Sequence, residues 1–135
     1  MNLKDLYLAT GRFNRTKAGS HFINPHCFGE DFAAWLAAEL SKFGAQIIRN
    51  PYQEDWGWEF SVAFDGSRYF VGIGPESEGP EETDYGHWRI FVERRRAFRE
   101  LLMDRGKLRE DDPLLTLIER IAHEQPDFHD IVRES

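Results

Sequence analysis

The clearest pattern in the chain is a strict alternation that runs from Trp56 to Gly74. Trp58, Phe60, Val62 and Phe64 alternate with Glu59, Ser61, Ala63 and Asp65, and Asp65-Gly66 then supplies a two-residue turn. Folding the chain back across that turn sets Val62 opposite Tyr69, Phe60 opposite Val71 and Trp58 opposite Ile73, which collects the large apolar residues of both strands on one face. The stretch therefore predicts a β-hairpin with one buried face, its other face carrying Glu59, Ser61, Ala63, Arg68, Phe70 and Gly72.

The flanking segments read less sharply. Leu3, Leu6, Tyr7 and Leu8 suit the start of a short helix that Thr10-Gly11 stops, residues 12–20 read as a loop, and His21-Phe22-Ile23 as a short strand closed by Asn24-Pro25. Glu30-Asp31 opens a helix on which Phe32, Trp35, Leu36, Leu40 and Phe43 recur at helical spacing until Gly44. Ala45 to Arg49 is a strand ended by Asn50-Pro51.

Beyond the hairpin, Pro75 to Gly86 forms an acidic exposed loop, and Trp88, Ile90 and Val92 mark the last strand. From Arg94 the period becomes helical through Ala97, Phe98, Leu101 and Leu102 to Gly106. Asp112-Pro113 reads as an N-cap followed by proline at N1, opening a helix through Leu114, Leu117, Ile118 and Ile121 that Pro126 ends; Phe128, Ile131 and Val132 make a final amphipathic turn. The expectation is a single α+β domain over residues 1–135: an antiparallel four-stranded meander centred on the Trp56–Gly74 hairpin, packed by one long helix from the N-terminal half and by C-terminal helices.

Composition narrows the class. With 41% hydrophobic residues, eleven phenylalanines and four tryptophans, the chain can build a core of large rings, and its length needs no metal or disulfide to support one. Cys27 is the only cysteine, the first residues lack the apolar run of a signal peptide, and no stretch has membrane-spanning length, so the expectation is a soluble cytoplasmic protein without a membrane partner. A net charge of −7 disfavours nucleic acid, whose affinity comes from Lys and Arg neutralising phosphates, and favours a basic protein partner.

Three groups of residues could carry chemistry. His21, His26 and Cys27 precede the first long helix, and with His87 brought in by the fold they would offer metal ligands or a thiol with a base; the alternative is a buried cysteine beside histidines bonded to backbone. Zinc-site spacing is absent, and neither a metal nor a cofactor is expected. Arg94, Arg95, Arg96 and Arg99 stand where the last strand becomes a helix, and either hold an anion or pair with Glu93 and the acidic loop. In Glu54-Asp55-Trp56-Gly57-Trp58-Glu59, the paired carboxylates suit acid–base work or simple solvation, and a bulge at Gly57 would turn Trp56 outward as a recognition anchor. No phosphate-binding loop, nucleophile elbow, dinucleotide fingerprint or zinc-finger spacing is present.

The string Ser20-His21-Phe22-Ile23-Asn24-Pro25-His26-Cys27-Phe28-Gly29-Glu30-Asp31, followed by Trp35-Leu36 and Glu54-Asp55-Trp56-Gly57-Trp58, resembles a group of short uncharacterised bacterial proteins over most of the chain. In size, acidity and lack of a catalytic signature the chain is also similar to the immunity proteins and antitoxins that neutralise bacterial toxins, a likeness of class rather than of motif. That likeness implies a non-enzymatic binding module. Its contact surface would be Trp56, Phe70 and the acidic loop residues Glu76, Glu78, Glu81, Glu82 and Asp84, with a small enzyme or anionic-ligand domain as the alternative.

Overall fold

A computed structural model describes residues 3–77, 79–95, 108 and 110–134. Among them the chain forms β1 (Leu3–Thr10), α1 (Glu30–Lys42), β2 (Gln46–Glu54), β3 (Gly57–Phe64), β4 (Ser67–Pro75), β5 (Gly86–Arg94), α2 (Pro113–His123) and β6 (His129–Glu134). All strand pairings are antiparallel, in the order β2-β3-β4-β5-β1-β6. The class is α+β, and the meander β2 to β5 is its centre; β1 and β6 extend the sheet to six strands.

The β3–β4 hairpin has the register read from its turn, Val62 facing Tyr69, Phe60 facing Val71 and Trp58 facing Ile73. Asp65 and Gly66 both take positive φ, 50° and 80°, the backbone that lets a two-residue turn follow the twist of its strands. Their shared face meets Leu6 and Leu8 of β1 and Trp88, Ile90 and Val92 of β5 in one core, closed by Phe32, Leu36 and Leu40 of α1 and by Leu114, Leu115, Ile118 and Ile121 of α2. Burying each of these large side chains contributes about 2–3 kcal/mol. Both helices thus pack on the same face of the sheet. Among the described residues, Tyr7, Glu59, Arg68, Phe70, Gly72, Arg89, Phe91 and Glu93 occupy the other face by strand alternation.

The α2 terminus is built as its sequence indicates. The Asp112 carboxylate accepts the amide N–H groups of Leu114 and Leu115 at 3.0 and 3.1 Å and also the hydroxyl of Tyr69 at 2.9 Å, tying the start of the helix to β4.

Five expectations are corrected. The N-terminal segment is a strand, because Leu6, Leu8 and Thr10 alternate with Asp5, Tyr7 and Ala9 and pair with β5, a partner 84 positions away for Leu6 and Ile90 (90 − 6). His21-Phe22-Ile23 is not a strand: Phe22 turns inward against Phe28 and Trp58, while Ile23 is 88% exposed. The strand expected to end at Arg49 runs on to Glu54. It passes Asn50-Pro51 through register shifts, which the edge position of β2 tolerates because a missing N–H there breaks no interior ladder. The segment after Phe128 is strand β6, paired with β1, rather than a helical turn. Phe43, expected on the apolar stripe of α1, is its C-cap residue and is exposed, with the Arg120 guanidinium over its ring. The helix expected from Arg94 through Ala97, Phe98, Leu101, Leu102 and Gly106 lies, apart from Arg94 and Arg95, outside the described residues. No helix among the described residues is long and apolar enough to cross a membrane.

Candidate functional site

β2 and β3 are joined by Asp55-Trp56, with Glu54 paired to Gly57. Trp56 is turned out of the core, 42% exposed, and its ring lies against Phe91 on the open face of the sheet, centroids 4.7 Å apart. Three glycines make this possible. A Cβ at Gly72 would stand 2.2 Å from Phe91 Cε1 and 2.5 Å from Trp56 Cη2. At Gly74 it would meet the Trp56 carbonyl oxygen at 2.4 Å, and at Gly57 the Ile73 carbonyl oxygen at 2.2 Å. The bare backbone of β4 is therefore the surface on which the Trp56 turn folds back.

A cleft of about 400 Å³ opens beside the ring, lined by Tyr7, Trp56, Pro75, Glu76, Arg89 and Phe91. Cross-strand pairing assembles it: Tyr7 faces Arg89, Arg89 faces Gly74, and Phe91 faces Gly72. The Arg89 guanidinium pairs with Asp5 at 3.1 Å and lies 5.4 Å from the Phe91 ring centre. Tyr7 donates its hydroxyl to Asp5 at 3.3 Å, and partial burial followed by the charge of Asp5 pushes the phenol up from its ordinary range. A second cleft, of about 340 Å³, lies on the other side and shares Trp56, Pro75 and Glu76 with the first. Its remaining wall includes Asn24, His26, Cys27 and Asp55.

The acidic loop is organised by a residue that sequence reading passed over. Arg15, only 3% exposed, lies beneath it and donates to the His87 carbonyl and to Ser77 Oγ, both at 2.9 Å. Its backbone N–H donates to Asp84 Oδ1 at 3.0 Å, its carbonyl accepts the Glu81 amide at 2.7 Å, and its guanidinium stands 5.1 Å from the Trp88 ring centre. Burial pulls the Arg15 pKa down, while Glu81 and Glu76 counter it, and the guanidinium keeps its proton. Glu81 and Asp84 are thus partly committed to holding the loop, and Glu76, Glu82 and Asp84 remain exposed. Glu78 lies outside the described residues.

The histidine and cysteine candidates are dispersed. His21 pairs with Glu30 at 2.7 Å on the surface. The His26 Nδ1–H donates to the Gly79 carbonyl at 2.8 Å, and Cys27, 7% exposed, donates its thiol to the Asp55 carbonyl. These two share the second cleft, whereas His87 lines a third, of about 390 Å³, with Arg15, Glu81 and Tyr85. No group of three or more His, Cys, Asp or Glu residues among the described residues is placed to hold a metal ion.

Of the arginine candidates, Arg94 faces a shallow cleft with Tyr69, Asp111 and Asp112, and Arg95 donates its amide to the Arg68 carbonyl and lays its guanidinium 5.4 Å from the Phe70 ring centre. Arg96 and Arg99 lie outside the described residues. The cation buried under the acidic loop is Arg15, from the far end of the chain. Phe70 shares the open face with Trp56, partly covered by Arg95. At the neighbouring edge, Tyr52 donates its hydroxyl to Glu59 beneath the Arg49 guanidinium; burial first, then the hydrogen bond to Glu59, pushes Tyr52 up to about 12, and burial also raises Glu59.

Tyr7, Arg15, Arg89 and Phe91 are the site residues that sequence reading missed. One signal was present: Gly72 and Gly74 alternate with buried residues on the outward face of a strand, the spacing expected where something lies flat on the sheet. Comparison with protein-family models, curated proteins and solved structures finds no match, so function is argued from the site.

Proposed function

We propose that this chain is a non-enzymatic protein-binding module, immunity- or antitoxin-like in mode, that occludes a basic bacterial partner through the face centred on Trp56. The observation that carries the reading is the exposed Trp56 ring, seated on a glycine-lined strand between two clefts that both include Glu76. Tryptophan at the centre of a contact surface is the residue most able to supply binding energy once desolvated, and the acids around it supply complementarity and encounter rate. A stable complex would bury about 800 Å² on each partner.

The test is capture of a stoichiometric basic protein from bacterial lysate by the tagged wild type, compared with Trp56→Ala and Glu76→Gln. Retention that falls with salt and is lost in Trp56→Ala supports the reading; retention indifferent to Trp56 removes it. A second reading, a small-ligand or hydrolytic site, rests on His26 and Cys27 lining one cleft. Stoichiometric zinc, or fast alkylation of Cys27 at neutral pH, would favour it instead.

A further inference from the structure

We propose that the cleft between Trp56, Phe91 and Glu76 receives an arginine side chain of the partner, an inference that rests on the binding-module reading and names its recognition chemistry. A guanidinium asks for two things together, a ring face to stack on and a carboxylate to receive its N–H fork. The cleft supplies both: the Trp56 and Phe91 rings meet at 4.7 Å with 60° between their planes, and Glu76 stands at the rim. Its volume, about 400 Å³, admits the planar head and the last methylenes of the stem.

The open face already shows this chemistry three times. Arg49 lies 3.6 Å from the ring centre of Tyr52, Arg95 5.4 Å from that of Phe70, and Arg89 5.4 Å from that of Phe91. Trp56 has the strongest π-face of these rings for a cation, and it is the one left 42% exposed. Charge agrees with the geometry. Arg89, the only cation lining the cleft among the described residues, is paired with Asp5 at 3.1 Å, so the net charge presented to an entering group is that of Glu76, and Asp55 lines the adjoining cleft that shares Trp56 and Glu76. Stacking distinguishes arginine from lysine, whose ammonium is a compact, strongly hydrated charge with no plane to lay on a ring.

The experiment is an NMR titration of the isotopically labelled full chain with the peptide acetyl-Gly-Arg-Gly-amide, and with the same peptide carrying citrulline or lysine. The expected result is saturable shifts of the Trp56 indole N–H and of the Gly72 and Gly74 amides with arginine, absent with neutral citrulline and weaker with lysine. Trp56→Ala and, separately, Glu76→Gln should each weaken the arginine peptide by on the order of tenfold. Equal shifts with citrulline, equal shifts with lysine, or shifts away from Trp56 would each overturn the proposal. If partner capture depends on Trp56 but the arginine peptide gives no shifts there, this inference falls and the binding-module reading stands. If neither occurs, both fall. Concentration-dependent dimerisation abolished by Trp56→Ala would make the occupant a second copy of this chain and would also overturn it.

Discussion

Gly57→Ala and Gly72→Ala add the same methyl group on adjacent strands, and the structure requires them to behave differently. At Gly57 the new Cβ meets backbone, the Ile73 carbonyl oxygen at 2.2 Å and Gly74 Cα at 2.9 Å. Those atoms belong to β4, which is paired on both sides, so relief means prising β3 from β4. Overpacking of about 1–3 kcal/mol, with one or two weakened ladder bonds at about 1 kcal/mol each, outweighs the ~0.5 kcal/mol gained by restricting the unfolded chain. The expected loss is about 3 kcal/mol, a fall in Tm on the order of 10 °C for a domain of this size. At Gly72 the methyl meets the edges of two exposed-face rings, Phe91 at 2.2 Å and Trp56 at 2.5 Å. They can swing outward by roughly 1.3 Å to restore ordinary contact near 3.5 Å. That forfeits the ring pair, about 1 kcal/mol, and is about half offset by the same unfolded-state gain, so stability should stay within about 1 kcal/mol of wild type.

Urea unfolding followed by far-ultraviolet circular dichroism measures the first quantity. Acrylamide quenching measures the second: Trp58 and Trp88 are buried, Trp35 is half-buried and makes its ring contacts with Phe13, Phe32 and Phe128 away from Gly72, and Trp56 is the exposed tryptophan. Quenching should rise in Gly72→Ala, and arginine-peptide affinity should drop on the order of tenfold with the fold intact. Equal destabilisation by the two substitutions, or a Gly57→Ala protein as stable as wild type, would refute the close-approach argument.

Arg15→Met keeps the buried stem but removes the donors to Ser77 and His87; we expect a loss of about 2 kcal/mol and faster hydrogen exchange at the Glu81 amide, and unchanged protection there would show that the loop closes without Arg15. Asp112→Ala should cost about 2–3 kcal/mol by uncapping α2 and stranding the Tyr69 hydroxyl, with Asp112→Asn recovering most of it; an asparagine variant as damaged as alanine would assign the effect to charge rather than to the acceptor oxygen. Tyr52 is held up to about 12 in the folded chain against 10.0 for an ordinary phenol, so between those values the unfolded chain loses a proton that the folded one keeps. Its contribution to stability is therefore complete below pH 10 and falls as pH rises through that window. Phenolate absorbance of wild type and Tyr52→Phe should differ in the late-titrating fraction; identical curves would refute the assignment.

What could be read from the sequence shares one property, short range. The β3–β4 register follows from Asp65-Gly66 and a period-two pattern within a few residues of it, and the start of α2 follows from Asp112-Pro113 because a cap and its N–H partners are sequence neighbours. The outward position of Trp56 was legible too, but it comes from the two-residue Asp55-Trp56 turn and not from the bulge expected at Gly57, where the β2–β3 register is unbroken.

The remainder depended on partners far along the chain. Leu6-Tyr7-Leu8 suits a helix or a strand equally well until β5 presents an unpaired edge to it, and β6 becomes a strand only because β1 is already in place. Arg15 reads as an ordinary loop residue, yet the acidic segment some 60 positions later closes over it. The cleft draws Tyr7 from β1, Trp56 from the β2–β3 turn, Glu76 from the loop after β4, and Arg89 and Phe91 from β5. Local sequence determined the β3–β4 hairpin and the start of α2. Which side chains meet was decided by non-local strand pairing, because hydrogen bonds between distant strands, and not the residues' own neighbours, set which outward positions lie side by side.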